Sequence, residues 1–337
     1  MSSNLINRRV LLAGAGVAAA LAPRAVAHGG GGAPFGDVVA TERFARVEKL
    51  AEGVWAVVST PLDANNAFDA AAAATVCNGG IVAGSDRVVA IDAFLQPAGA
   101  AWLAHCAEAL TGRPLTDVIV THFHADHSGG LAGYQRGADG PEIIATDMTR
   151  KLIYERYAGP LAPVDGTPFS APAVRPVLPT RILTDDVDEA ELDLGGGRTL
   201  SLIPLSGHTP SDLAIRVNDA PVTFAGDLVW AGLFHNYVDA IPKKLRQSAG
   251  LLLEDPDQII GTGHGYVARA RDLESYLDLL DHVGDAAQTA FDAGRPPAEA
   301  AAEYAVPESL GEWTLFSPRY YETAFEAWRR ELSGDGG

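Results

Sequence analysis

Four potential metal ligands stand within six residues, His122, His124, Asp126 and His127, inside the run Thr121-His122-Phe123-His124-Ala125-Asp126-His127-Ser128-Gly129-Gly130. Alternate side chains of an extended segment point the same way, so His122 and His124 can meet one ion while Asp126 and His127, past the bend, face another. Neutral imidazole and carboxylate together suit borderline divalent ions such as zinc or iron. Three later apolar runs each lead through glycine to a further donor: Leu202-Ile203-Pro204-Leu205 to Ser206-Gly207-His208, Val222-Thr223-Phe224-Ala225 to Gly226-Asp227, and Gln258-Ile259-Ile260 to Gly261-Thr262-Gly263-His264. A glycine beside a donor lets the backbone turn sharply and approach an ion without a Cβ in the way. Seven candidate ligands, including five of the nine histidines, thus come from four expected strand ends.

The elements that must position these donors are legible in outline. Val118-Ile119-Val120 reads as a short buried strand delivering the first cluster, and Ser128 to Gly133 as a turn into a helix. Residues 44–60 predict a β-hairpin around Ala51-Glu52-Gly53. Residues 75–83, containing Cys77, and 88–92 predict two more strands, the second ending in Asp92, which locally reads as a helix or turn cap before Phe94. Residues 98–110 have helical composition and contain Cys106; the two thiols are expected to be buried and unpaired. Gly195 to Gly197 turn a hairpin, and residues 159–180, with six prolines, predict a long loop over one rim of the site.

The aromatic-rich stretch Leu228 to Asp239 follows a ligand directly and is the expected substrate wall. Within it Tyr237 either packs in the core or donates to a developing oxyanion, and His235 either makes a fixed hydrogen bond or carries protons. Lys243, Lys244 and Arg246 form either a solvated helix face or a receptor for a substrate carboxylate. Beyond residue 271, Leu273, Tyr276, Leu277 and Leu280 make one helical stripe, and Tyr321, Phe325, Trp328 and Leu332 make another after Ser317-Pro318. These stripes dock the helices on the body of the protein or on another subunit, which leaves a homo-oligomer open.

The ordered set of motifs resembles the metallo-β-lactamase-fold superfamily over residues 44–270, and the longer form at 121–130 looks most like its glyoxalase II-like branch of metallo-hydrolases. The resemblance implies an α+β protein: an αββα sandwich of two packed mixed sheets with helices outside and the metals at one edge, here with a C-terminal helical extension over 271–337. It assigns His122, His124 and His208 to a first ion, Asp126, His127 and His264 to a second, and Asp227 to a bridge between them, and it implies, against the cap reading, that Asp92 orients a ligand histidine from behind. Many β-lactamases of the superfamily carry Cys or Ser where this chain has Asp227, which turns expectation away from β-lactams.

The implied cofactors are two zinc ions, with iron or manganese as alternatives. The implied activity is hydrolysis of a thioester, lactone or other ester or amide bond in a small molecule by a metal-bound hydroxide. Asp126 and Asp227 are the expected catalytic residues, Asp126 orienting the hydroxide and Asp227 setting the inter-metal spacing. No Gly-x-Ser-x-Gly nucleophile motif or phosphate-binding glycine loop is present. The alternatives on the same scaffold are a β-lactamase and a mononuclear iron persulfide dioxygenase, whose two histidines and an Asp would be His122, His208 and Asp227.

Residues 1–27 read as a twin-arginine-type signal peptide: Arg8-Arg9, an apolar stretch over 10–22 and Ala25-Val26-Ala27 as a cleavage site. That apolar stretch is shorter than the roughly 20 residues a bilayer span needs. A periplasmic or extracellular product starting at His28 is expected, with residues 28–43 as a flexible leader and no stable membrane association after cleavage. Removing three arginines leaves 22 basic against 43 acidic residues. So acidic a chain disfavours nucleic acid and anionic membranes as partners.

Overall fold

The computed structural model describes residues 32–60, 73–135, 140–157, 177–184 and 189–334. The expected signal peptide, residues 28–31 of the expected leader and most of the proline-rich loop therefore lie outside the described residues, whereas Val38–Glu42 of that leader form a strand. The first sheet has eight strands in sequential order: β1 (Val38–Glu42), β2 (Ala45–Ala51), β3 (Val54–Ser59), β4 (Gly79–Ala83), β5 (Val88–Ile91), β6 (Asp117–Ile119), β7 (Glu142–Thr146) and β8 (Arg181–Leu183). β1 to β5 pair antiparallel, and β5 to β8 pair parallel. The second sheet is built from β9 (Ala190–Gly195), β10 (Arg198–Leu205), β11 (Asp212–Val217), β12 (Val222–Ala231), β13 (Ile259–Gly265) and β14 (Ala268–Arg269), antiparallel except where β12 and β13 run parallel.

The helices are α1 (Pro97–Thr111), α2 (Ala125–Ser128), α3 (Asp147–Tyr157), α4 (Pro242–Leu251), α5 (Ala270–Asp292), α6 (Pro297–Glu303) and α7 (Tyr320–Leu332). Strand alternation explains the layering. In β3, Val54, Ala56 and Val58 face the second sheet and pack with Leu200, Leu213 and Phe224, while Trp55 and Val57 face the opposite way, towards the α1 side chains Leu103 and Ala107. The outer face of the second sheet is covered by α4, α5 and α7 through Leu245, Leu273, Tyr276 and Ala324. The order helix, sheet, sheet, helix is the αββα sandwich expected, and the C-terminal helices pack onto it. None of the described helices is long and apolar enough to cross a membrane.

Four expectations need correction. Cys77 precedes β4 rather than lying in it, because Val76 takes a left-handed φ of 74° and breaks the extended run. Helix begins at Ala125, so Asp126 and His127 occupy the single turn of α2 instead of the loop before a helix. Asp227 and His264 lie inside β12 and β13, not beyond their ends, because the parallel pairing carries both strands through the site. The β12 register shifts at Gly226, whose φ is +51°, and that bulge re-aims Asp227. The fourth is the substrate wall: Leu228, Trp230, Leu233, Phe234 and Tyr237 are all buried, since this stretch forms the core under α4 and α5.

Candidate metal centre

The loops after β6 and β10, the turn of α2 and the paired interiors of β12 and β13 bring all seven predicted donors together. His122, His124, His208 and Asp227 offer ligand atoms within 4.8 Å of one another, and so do Asp126, His127 and His264. In the first set His124 Nδ1 lies 3.2 Å from His122 Nε2 and 2.9 Å from His208 Nε2, and Asp227 Oδ2 lies 3.2 Å from the last. Zinc–nitrogen bonds of about 2.0–2.1 Å in a tetrahedron place neighbouring donors roughly 3.3–3.4 Å apart, so little movement would close this set on an ion. In the second set His264 Nε2 is 3.2 Å and His127 Nε2 3.8 Å from Asp126 Oδ2. Asp227 reaches here too, with Oδ1 3.0 Å from His127 Nε2 and Oδ2 3.4 Å from His264 Nε2. It therefore stands between the sets, where the resemblance puts a bridge.

Space for that carboxylate is made across the strand pair. A Cβ on Gly263 would meet Asp227 Oδ1 at 1.8 Å, so any side chain there would expel it. His127 Nε2 and Asp227 Oδ1 are buried with no hydrogen-bond partner among the described residues, their 3.0 Å approach being poorly aligned for one. Buried polar atoms are normally satisfied, and converging orphans of this kind are what a cation would complete. The residues fit a dinuclear divalent site.

The far sides of four of the five rings are also held, while His264 Nδ1 is buried with no hydrogen-bond partner among the described residues. His127 Nδ1 lies 2.7 Å from Asp92 Oδ2, and Asp92 Oδ1 accepts from the Thr121 backbone N–H at 2.8 Å. The orienting role, rather than the turn cap, is the one Asp92 fills. His124 Nε2 lies 2.9 Å from Asp239 Oδ2, and the Arg156 guanidinium donates to the other Asp239 oxygen at 2.8 Å. His122 Nδ1 faces Thr121 Oγ1 at 3.0 Å. His208 Nδ1 faces His235 Nε2 at 2.9 Å, so His235 has the fixed hydrogen bond of its two expected roles. Such partners set ring orientation and raise ligand basicity. Asp239 closes the aromatic stretch, but nothing in the local pattern marks it as a partner of His124, 115 residues away.

Burial pushes His122 and His208 well below the usual histidine pKa, keeping both neutral as ligation requires. Burial also opposes charge on His264, but Asp227 and Asp126 outweigh it and raise this residue to about 9. His127 is raised well above its ordinary value against the same burial, by Cys77, Asp227 and Asp92. Burial works against the Asp227 charge as well, yet His127, His264 and His208 hold its pKa well below the carboxylate range. Protonated imidazoles thus balance the acids of the second set; a divalent cation would do the same and release those protons.

The remaining candidates separate cleanly. Tyr237 is a core residue, and Lys243 and Lys244 lie on the exposed face of α4, Lys243 3.8 Å from Glu331. Arg246 pairs with Asp281. Cys77 and Cys106 are buried and unbridged. The half-buried rings beside the ligands come from the C-terminal segment, Phe316 with its centroid 5.7 Å from His264 and Tyr320 at 6.1 Å from Trp230.

Comparison with known proteins agrees with this geometry. The chain is 27% identical over 220 residues to the 2,4-dinitroanisole O-demethylase subunit alpha of Nocardioides sp., covering 63% of this chain and 60% of that protein. It is 27% identical to the acyl-coenzyme A thioesterase MBLAC2 of Gallus gallus over 48% of this chain and 60% of that one. It is also 27% identical to the hydroxyacylglutathione hydrolase GloC of Haemophilus influenzae, over 44% and 68% respectively. The chain thus spans about 60% of the length of the first two relatives. The solved sec-alkylsulfatase Pisa1 from Pseudomonas sp. shares the fold with a TM-score of 0.63 at 18% identity, covering 86% of this chain and 50% of that one. The metallo-beta-lactamase superfamily model matches residues 73–264, a span that includes all seven donors, and the chain belongs to that superfamily.

Proposed function

We propose that this protein is a dinuclear zinc hydrolase cleaving a thioester, lactone or other ester or amide bond in a small molecule. The observation that carries the reading is Asp227, a buried carboxylate placed between two complete donor sets. Two such ions supply Lewis acidity and an activated water near neutral pH. The chain's own part is positional. Asp126, whose side chain is 25% exposed, faces the solvent side of the site with one oxygen toward His264, which suits it to orient the attacking water. Asp227 sets the spacing between the two sets.

Cys77 is no rival nucleophile: burial pushes its thiol up to about 12, and Sγ donates to the Asp126 carbonyl. Turnover therefore proceeds without an acyl-enzyme. The thioesterase and the hydroxyacylglutathione hydrolase among the relatives favour thioesters as the first substrates to test. The complete second set offers donors for a second ion, whereas a mononuclear iron persulfide dioxygenase would need only His122, His208 and Asp227. The test is metal analysis followed by a panel of acyl-coenzyme A and acyl-glutathione thioesters, lactones, a β-lactam and 2,4-dinitroanisole. About two zinc ions per chain with thioester or lactone turnover is the expected result. One iron per chain with oxygen uptake would overturn it.

The proposed setting is the periplasm or the cell exterior, reached by twin-arginine export of residues 28–337. Arg8-Arg9 ahead of a weakly apolar stretch supports it. Changing both arginines to lysine keeps the charge and should leave the precursor in the cytoplasm; normal secretion would point to the general route.

A further inference from the structure

The ligand histidines are steered by partners of unequal kinds. His127 and His124 each turn their outer nitrogen to a carboxylate, Asp92 and Asp239. His208 turns its outer nitrogen to a second histidine: Nδ1 lies 2.9 Å from His235 Nε2, and His235 Nδ1 lies 2.8 Å from the Tyr276 hydroxyl. All three side chains are fully buried. Tyr276 belongs to α5, outside the span matched by the family model.

Proton accounting allows this chain one direction if His208 is a ligand. His208 Nε2 points into the first set, so it must offer a lone pair there, and the neutral ring then carries its proton on Nδ1. That proton is donated to His235 Nε2, which must itself be unprotonated. The neutral His235 ring then bears its proton on Nδ1 and donates to Tyr276 Oη. Reversing the chain, with the tyrosine donating to His235 Nδ1, puts a proton on His235 Nε2 and forces His208 into the tautomer whose Nε2 is blocked. The acceptor at Tyr276 thus decides whether His208 can ligate.

We propose that His235 and Tyr276 are positioning residues that hold His208 in its ligating tautomer, making α5 a working part of the first-ion site. The inference rests on the reading of His208 as a ligand. A carboxylate in the place of His235 would fix the same tautomer by charge. The histidine–tyrosine pair does so without adding negative charge to a pocket that already holds Asp126 and Asp227.

The test uses full-length protein stripped of metal and titrated with zinc against a chromophoric chelator, and cobalt(II) absorption as a report on ligand geometry. His235→Leu, which removes the acceptor, should weaken binding at the first-ion site about 10–100-fold and change the cobalt spectrum. His235→Gln, whose carbonyl can accept from His208 Nδ1–H, should restore much of the loss. Tyr276→Phe should shift affinity in the same direction by a smaller factor. Tyr237→Phe, a buried tyrosine 5.2 Å ring to ring from His235 and outside the chain, should change neither readout. Thermal unfolding separates misfolding from loss of ligation, and if His235→Leu does not fold, Tyr276→Phe decides alone. Wild-type zinc affinity and an unaltered cobalt spectrum in Tyr276→Phe and His235→Leu would overturn the proposal. His208→Ala discriminates the two readings: if it too leaves zinc binding untouched, the ligand assignment fails; if it alone weakens binding, the positioning chain fails.

Discussion

Asp92 is the residue on which stability and metal binding can be weighed against each other most directly. Its carboxylate is 1% exposed and takes the Thr121 backbone N–H, the Thr121 hydroxyl and His127 Nδ1, while its own φ is +61°. Asp92→Ala removes the acceptor and strands two buried donors, the Thr121 amide and the His127 ring, at about 1–3 kcal/mol each. A left-handed alanine adds about 1–2 kcal/mol. The total, about 3–8 kcal/mol, approaches the whole stability of an ordinary domain at about 5–15 kcal/mol. Asp92→Asn tolerates the same φ and keeps one oxygen for the Thr121 amide, so it should cost about 1–3 kcal/mol, chiefly the one stranded donor on the His127 ring. In both variants His127 loses its orienting partner, and zinc binding at the second set should weaken about 10–100-fold. Urea unfolding of the metal-free protein measures the first effect and chelator competition the second. An alanine variant within about 1 kcal/mol of wild type, or an asparagine variant as unstable as alanine, would refute the reasoning.

Asp227→Ala should lower zinc from about two ions per chain to about one or fewer and abolish turnover, read by elemental analysis and rate together; undiminished metal content would remove its bridging role. Burial raises Asp212 to about 7 despite two bonds from Thr209. Between its ordinary value near 4 and about pH 7 the folded state keeps a proton that the unfolded state has lost, so stability falls as pH rises through that window and stays low above it. Asp212→Asn mimics the protonated form and should flatten the slope and stabilise the protein at pH 8; an unchanged slope in thermal melts across pH 4–8 would contradict this. Burial also pushes both Cys77 and Cys106 up to about 12, so iodoacetamide at pH 8 should label neither thiol until the protein is unfolded, and rapid labelling of the native protein would show either to be accessible.

All seven donors were legible because metal chemistry demands rare residue types at tight spacing. Imidazoles two apart in an extended run must share a side, and a glycine beside a donor leaves a local mark. The sandwich followed from the same motifs through family resemblance, and the hairpin at residues 44–60 and the helix α1 followed from local periodicity and turn chemistry. What sequence could not supply was everything set by partners distant along the chain. Asp239 reaches His124 across 115 residues, and Tyr276 meets His235 because α5 packs on the outer face of β12. Tyr276 read as one more apolar stripe residue, since periodicity reports which face is buried and not what its hydroxyl touches. Asp227 lies within β12 instead of past its end because pairing with β13 continues through the Gly226 bulge. The aromatic stretch expected to line the substrate site became core when α4 and α5 closed over it, while Phe316 and Tyr320, far along the chain, arrived beside the ligands. Local chemistry names the candidate ligands; packing between elements distant in sequence decides which side chains hold them, orient them and surround them.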